Sequence, residues 1–491
     1  MNRIALLYIA VFLLVSPLFG DPAPNAFGIN ARLGKGINLG NMFEAPSEGD
    51  WGEVWKPEDF DIIKELGFSH VRIPIRWETA ARSSENPPYE IDSGFMDRIT
   101  EVVDAALARD LMVIINMHHH DGLFADPEGQ KPRFLAQWKQ ISEQFRGYPD
   151  GLLFEVLNEP HGNLTPELWN DFFADALKVI RETNPKRTVV MGTAEYGGLQ
   201  GVPFLRLPDD KNLILSVHYY NPFRFTHQGA EWSGEEAKTW LGTKWRDTEA
   251  ERRTVVNEFT QVIGFSKQHN IPVHIGEYGA YHTADMDSRV RWTRFLSNWF
   301  ADQGFSAAYW EYNAGFGIYD PKAKQLRRRL ADAILRDPLP EAEKVPGTTV
   351  YSWDSAKGKN GFALQLQGPA MGVLTTADNA MKVLITNGGT ESWHVQLVKR
   401  EITLEKGKTY LLSFTAAGPD PRAATVYFGK NSSPWNAYSD YRSIQLGEKP
   451  VPYSFSFTMS EKSDSRARLV FDLGMQKEGM LLYALRLEEL E

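Results

Sequence analysis

Two glutamates stand at the ends of apolar, β-branched runs, one in Asn158-Glu159-Pro160 and one in Gly276-Glu277-Tyr278. Paired carboxylates held about 5 to 5.5 Å apart can cleave a glycoside through a covalent intermediate, one giving and taking the proton while the other attacks carbon. A glutamate beside an amide and ahead of a chain-breaking proline can point inward with restricted solvent. Partial burial of a carboxyl favours its protonated form, which a general acid requires. The same tripeptides would also suit a buried glutamate paired with arginine, or a rim carboxylate. His118-His119-His120-Asp121 suggests different chemistry, since histidine and carboxylate are good zinc ligands. In extended chain, however, adjacent side chains point to opposite sides. Three consecutive histidines then cannot converge on one ion without a sharp turn, and no metal is expected; the role of His120 stays open.

The elements that must position these groups are legible as an alternation. Eight strand-like runs cover residues 36–39, 70–77, 112–119, 152–159, 188–193, 213–220, 272–278 and 306–313. Amphipathic segments at helical spacing lie between them. One places Trp169, Phe172, Phe173, Ala176, Leu177 and Ile180 on a single face, with Thr165 as N-cap, Pro166 at the first helical position and Glu167 beside the positive dipole end. Another groups Trp292, Phe295, Leu296, Trp299 and Phe300. Eight strand–helix units predict a (β/α)8 barrel. Each run also begins apolar and turns polar at its C-terminal end, with Asn41, Arg72, Arg76, His118, His119, Asn158, Glu159, Glu195, His218, Tyr220, Glu277, Trp310 and Glu311. In such a barrel that end is the active-site face. Glu155 lies deeper in its run and reads as an internal structural carboxylate; Arg76 and Trp77 read as scaffold.

Residues 337–347, rich in proline and charge, break the pattern and read as a linker. Beyond it the helical period gives way to alternating runs separated by turn residues, the pattern of an all-β sandwich over residues 348–491. The chain has 491 residues, a formal net charge of -10 and no long Lys/Arg run, which argues against a nucleic-acid or anionic-membrane partner. The 14 Trp and 18 Tyr permit sugar stacking without demonstrating it. With no Cys there is no disulfide framework or Cys-ligated metal. Met1-Asn2-Arg3, the apolar run 4–15 and Gly20 before Asp21 fit a secretory signal over residues 1–20, so a secreted or periplasmic protein is expected. The cleavage pattern is poor, which leaves an uncleaved anchor open.

The motifs Ile37-Asn38-Leu39-Gly40-Asn41, Val71-Arg72-Ile73-Pro74, Asn116-Met117-His118-His119, Leu157-Asn158-Glu159-Pro160, Val217-His218-Tyr219-Tyr220, Ile275-Gly276-Glu277-Tyr278 and Tyr309-Trp310-Glu311 follow one another in that order. Together they resemble the family 5 glycoside hydrolases, the cellulase family, over about residues 27 to 336. Residues 44–51, 158–163 and 221–232 are similar to the bacterial endoglucanase branch that includes enzymes acting on both glucan and mannan. The resemblance implies a barrel with Glu159 as acid/base and Glu277 as nucleophile. It implies that Arg72 holds the nucleophile ionised, that Tyr220 donates to it, and that His218 stands close to the acid/base. Asn158 matches the amide that bonds the sugar 2-hydroxyl, Trp310 the aromatic platform, and His118 and His119 polar substrate contacts. Asn41, Glu44, His227, Trp232 and Glu311 match outer subsites.

The C-terminal region resembles jelly-roll carbohydrate-binding modules through Trp393-His394-Val395-Gln396-Leu397, Tyr453-Ser454-Phe455-Ser456-Phe457 and Phe471-Asp472-Leu473-Gly474. Tyr427, Trp435, Tyr438 and Tyr441 are its candidate sugar-stacking rings, with core or loop filling as the alternative. Leu482-Tyr483-Ala484-Leu485 lacks the acid with which many such modules hold calcium. The expectation is therefore a monomeric, cofactor-free, retaining endo-β-1,4-glucanase acting on a polysaccharide. A β-mannanase or dual glucan/mannan enzyme is the nearest alternative, and a catalytically silent glycan-binding protein is the remote one.

Overall fold

The computed structural model describes residues 25–377, 379–420 and 422–490. The expected signal segment lies outside them. Strands β1 (Lys35–Asn38), β2 (His70–Ile73), β3 (Met112–Asn116), β4 (Leu152–Glu155), β5 (Val189–Gly192), β6 (Leu213–His218), β7 (Val273–Tyr278) and β8 (Ser306–Tyr309) pair in parallel and in sequence order, and β8 returns to β1. The barrel predicted from the alternation is closed. Apart from β1, its strands are shorter than the runs in the sequence. Ladder pairing ends at Glu155 in β4, so Glu159 sits four residues beyond the strand, where Pro160 has no N–H to continue a ladder.

Around the barrel lie α1 (Ala26–Leu33), α2 (Pro57–Leu66), α3 (Ser93–Leu107), α4 (Asp121–Ala125), α5 (Pro127–Gln144), α6 (Pro166–Thr183), α7 (Phe223–Thr226), α8 (Glu249–Glu258), α9 (Thr260–His269), α10 (Met286–Asp302) and α11 (Arg328–Leu335). Helix α6 begins as its sequence dictates. Thr165 accepts from the Leu168 N–H, Pro166 fills the first turn, and the face from Trp169 to Ile180 is buried. Trp169 also donates its indole N–H to the Gly192 carbonyl at 2.8 Å, which ties the helix to the end of β5. Removing that side chain should cost about 3–5 kcal/mol, because a cavity is added to the lost burial.

The barrel interior is not uniformly apolar. At the bottom, Ile114, Leu153, Val190 and Ile214 pack against Ala26, Ile29 and Leu33 of α1, which plugs that end. Above them the inward positions become Asn38, Arg72, Asn116, Glu155 and Ser216, all buried. A period-2 strand aims these residues at the axis whatever their chemistry; Asn38, Arg72, Asn116 and Glu155 compensate by bonding one another, whereas the Ser216 hydroxyl has no partner among the described residues.

The hairpin of β9 (Tyr319–Asp320) and β10 (Gln325–Leu326) precedes α11. The segment after α11 is tied down at Glu343, whose N–H donates to the Asp247 carbonyl and whose carbonyl accepts from the Glu249 N–H. The C-terminal domain is two antiparallel sheets. One contains β13 (Met371–Ala377), β14 (Ala380–Asn387), β21 (Met480–Leu490), β16 (Thr409–Ala417) and β19 (Val451–Thr458), with β11 (Gly347–Asp354) paired to β21. The other runs β12 (Phe362–Leu366), β15 (Val395–Leu404), β20 (Asp464–Asp472), β17 (Arg422–Gly429) and β18 (Arg442–Leu446). Their inner faces share one core that includes Leu397, Leu412, Phe414, Phe428, Leu469 and Leu487. No described helix is long and apolar enough to cross a membrane.

Candidate active site

A cleft of about 630 Å³ opens at the C-terminal end of the barrel strands. Its lining includes Asn41, Glu44, His118, His119, Asn158, Glu159, Tyr220, His227, Trp232, Glu277, Trp310 and Glu311. Of the barrel residues to which the family resemblance gives a role, Arg72 and His218 stand behind that lining, both buried.

Glu277 projects from β7 and is almost fully buried. Arg72 donates Nη1–H to its Oε1 at 2.9 Å, and the Tyr220 hydroxyl donates to its Oε2 at 2.9 Å. Burial alone would push the Glu277 carboxyl up, but the charges of His218 and Arg72 and the two donated bonds outweigh it and hold the pKa below its ordinary value. Arg72 is itself held from all sides: Nε–H donates to Glu155 at 2.7 Å, Nη1–H also to Asn38 Oδ1 at 2.8 Å, and Nη2–H to Asn158 Oδ1 at 2.6 Å. The last bond fixes the Asn158 amide with its oxygen inward, which leaves the NH2 group for the cleft. Glu155 completes the set by accepting from Asn116 at 3.0 Å.

Glu159 is the more open of the two acids, its side chain 28% exposed against 6% for Glu277. His218 Nδ1 lies 2.8 Å from its Oε1, so opposite a carboxylate that nitrogen carries the proton. Burial would lower the His218 pKa, yet Glu277 and the bond to Glu159 raise it above the ordinary value. Glu159 adopts a φ of 47°, an uncommon conformation for a residue with a side chain, and its carbonyl oxygen lies 2.6 Å from His161 Nδ1. Gly197, at φ 69°, closes over the pair. A Cβ there would stand 3.0 Å from the His218 ring and 3.3 Å from the Glu159 side chain, so both the angle and the space call for glycine.

One oxygen of Glu159, one of Glu277 and a His218 nitrogen all lie within 4.8 Å of one another. Three such atoms could in principle hold a cation, but their bonding is already committed. Arg72 and Tyr220 occupy the Glu277 oxygens, and His218 Nδ1 is bonded to Glu159. A dication placed there would meet the Arg72 guanidinium. The histidine run does not follow strand alternation, because β3 ends at Asn116: His118 and His119 both line the cleft, whereas His120 turns away and caps α4, its Nδ1 accepting from the Leu123 N–H at 3.2 Å.

The comparison with known proteins accords with this geometry. The model of the family "Cellulase (glycosyl hydrolase family 5)" matches residues 33–315, more than half of the chain. The chain belongs to glycosyl hydrolase family 5. A carbohydrate binding domain model matches residues 355–479. Among curated relatives, Endoglucanase H of Acetivibrio thermocellus is 39% identical over 304 residues, 62% of this chain and 32% of its own length. Endoglucanase A of Clostridium longisporum is 30% identical over 321 residues, 59% of this chain and 60% of its own. The chain thus spans about a third and three-fifths of these two proteins. Among solved structures, endoglucanase Cel5A of Thermotoga maritima is 50% identical with a TM-score of 0.62, covering 63% of this chain and all of that one. Cel5A has been solved with mannotriose and with cellobiose.

Two outer residues of the family 5 domain have carboxyls engaged by backbone. Glu44 accepts from the N–H groups of Asn41 and Met42, and Glu311 from those of Asn313, Ala314 and Phe316. Burial pushes Glu44 up to about 8 and Glu311 up to about 7, despite those donors. Trp51, Tyr281 and Phe316 also line the cleft and were missed from sequence. Tyr281 stands three residues past β7 and donates its hydroxyl to Glu231 at 2.9 Å. Extending the rule of polar residues at strand ends into the following loop would have found it.

In the sandwich, the four candidate rings divide. Tyr438 enters the core and Tyr427 is buried on the outer face of the five-stranded sheet, whereas Trp435 and Tyr441 are 50% and 61% exposed. Tyr441 packs on Tyr427 at 4.6 Å between centroids, and the Arg468 guanidinium lies over Trp435 at 4.7 Å. Beside them Gln396 donates to Asp472 at 2.7 Å.

Proposed function

We propose that this chain is a retaining endo-β-1,4-glucanase in which Glu277 is the nucleophile and Glu159 the acid/base. The observation that carries the reading is that one oxygen of Glu159 lies within 4.8 Å of one of Glu277, with the two acids in unequal surroundings. A retaining hydrolase needs its carboxyl groups about 5 to 5.5 Å apart, whereas an inverting one needs about 6.5 to 9.5 Å to admit a water. Glu277, buried beneath Arg72 and Tyr220, is kept ionised and aimed. It attacks the anomeric carbon as Glu159 gives its proton to the leaving oxygen. Glu159 then takes a proton from the water that opens the glycosyl ester, and two displacements restore the β configuration. The Asn158 NH2 group is positioned for a sugar 2-hydroxyl, a contact that strengthens in the transition state.

Names of relatives support a glucan substrate, and the mannotriose complex of Cel5A supports a second reading as a dual glucan/mannan enzyme. Glucose and mannose differ at the 2-hydroxyl, which falls to Asn158, His118 and His119. We assign sugar binding by the sandwich to the outer sheet face around Trp435 and Tyr441. Export is supported by the signal-like residues 1–20. Initial-rate NMR on a soluble cello-oligosaccharide should show the β-anomer as first product. An initial α-anomer would refute double displacement. Parallel assays on carboxymethyl cellulose, glucomannan and mannan decide between the two substrates.

A further inference from the structure

The sandwich does not hang from the barrel by a free tether. Its strand β19 packs on α8, and Asn257 of that helix donates to Ser454 Oγ at 3.3 Å. Arg224, in α7, donates to the Ala437 carbonyl at 2.9 Å and to Ser460 Oγ at 3.2 Å. At the centre of this interface stands Glu258, the last residue of α8. One of its oxygens accepts from Arg442 of the sandwich at 2.6 Å. The other accepts from the Tyr219 hydroxyl at 2.7 Å and from the Asn221 amide at 3.1 Å. Arg442 is 4% exposed and is also paired with Asp440 at 3.2 Å. Tyr219 and Asn221 flank Tyr220, and the Tyr219 N–H donates to the Glu277 carbonyl at 2.9 Å.

We infer that the sandwich acts in catalysis as well as in adsorption, with Arg442 a positioning residue that works through Glu258 to hold the Tyr219–Asn221 segment and so aim the Tyr220 hydroxyl at Glu277. A largely buried carboxylate, 13% exposed at Glu258, with two neutral donors and no cation is poorly compensated, and it relaxes by shifting toward water. Glu258 without Arg442 would draw Tyr219 and Asn221 with it. Tyr220 lies between them, and its bond to Glu277 has little length to spare at 2.9 Å. This inference rests on the hydrolase assignment above.

The test is Arg442→Met in the full chain, assayed on a two-sugar aryl β-cellobioside, which does not depend on polymer adsorption. Glu277 is faced by Arg72 from β2, His218 at the end of β6, Tyr220 just beyond it, Glu159 beyond β4, and more distantly His119 and His227. Only the Tyr220 contact is addressed by this change. We expect kcat to fall by threefold or more with KM altered less than twofold, and the acid limb of the pH profile to move upward by half a unit or more. Glu258→Gln in the Arg442→Met background keeps an acceptor for Tyr219 and removes the uncompensated charge, so it should recover most of the loss. Should Arg442→Met not fold, Glu258→Gln alone serves, with a smaller shift in the same direction. A folded variant with wild-type kcat and an unmoved acid limb would overturn the inference. Failure of the hydrolase assignment would appear separately, as an inactive wild type.

Discussion

Tyr220→Phe removes one oxygen and nothing else from the candidate site. The ring keeps its edge contacts with His227 and Phe316, while Glu277 Oε2 loses its 2.9 Å donor and retains His218 Nδ1 at 3.5 Å. A hydrogen bond to a charged group contributes about 1.5–3 kcal/mol. Since about 1.4 kcal/mol corresponds to one pKa unit, the Glu277 pKa should rise by about one to two units. The sign follows from the direction already present. Donors to the ionised carboxylate hold this pKa low, so removing one raises it, and the reactive anion then disappears at a higher pH. Below its limb the variant loses about tenfold in rate for each pH unit. Initial rates on an aryl β-cellobioside from pH 3 to 9 measure the limb, with the thermal midpoint as a control for folding. A limb within about 0.3 units of wild type would refute the claim that this hydroxyl stabilises the charged nucleophile.

Azide separates the two glutamates. Glu277→Ala should be inactive and, with azide taking the vacated face, yield the α-glycosyl azide. Glu159→Ala should yield the β-glycosyl azide from a preserved glycosyl-enzyme, and a swapped pair of products would reverse the roles. In the sandwich, Trp435→Ala and Tyr441→Ala should each weaken adsorption to insoluble β-glucan by about two- to tenfold, equivalent to about 0.5–1.5 kcal/mol of ring contact; wild-type adsorption in both would remove that face from consideration. Glu44 and Glu311 have folded-state pKa values of about 8 and about 7, above the ordinary 4.5, so their contribution to stability is complete below about 4.5 and lost as pH rises through those values. The thermal midpoint should therefore decline from pH 5 to 8, and Glu44→Ala should flatten that decline; an unchanged slope would contradict it.

Local pattern was enough to announce the barrel. The face from Trp169 to Ile180, the cap at Thr165 and the recurrence of polar residues after apolar runs are properties of neighbouring positions, and neighbours determine helical and strand periods. The same logic marked Glu159 and Glu277. It did not sort the histidines: alternation would put His118 and His120 on one side, yet His118 and His119 share the cleft because β3 has ended at Asn116. Sequence spacing could not supply distance. That Arg72 bonds Glu155, Glu277, Asn38 and Asn158 at once depends on barrel closure, which brings β1, β2, β4 and β7 to a single axis. Likewise, the exposed or buried state of four aromatic rings in one turn-rich stretch was set by how two sheets stack. Nothing local in Glu258 or Arg442, 184 residues apart, announced a shared ion pair. Periodicity belongs to the chain and is written in it; the meeting of charges across the molecule belongs to the closed fold, where burial makes an unpaired charge costly.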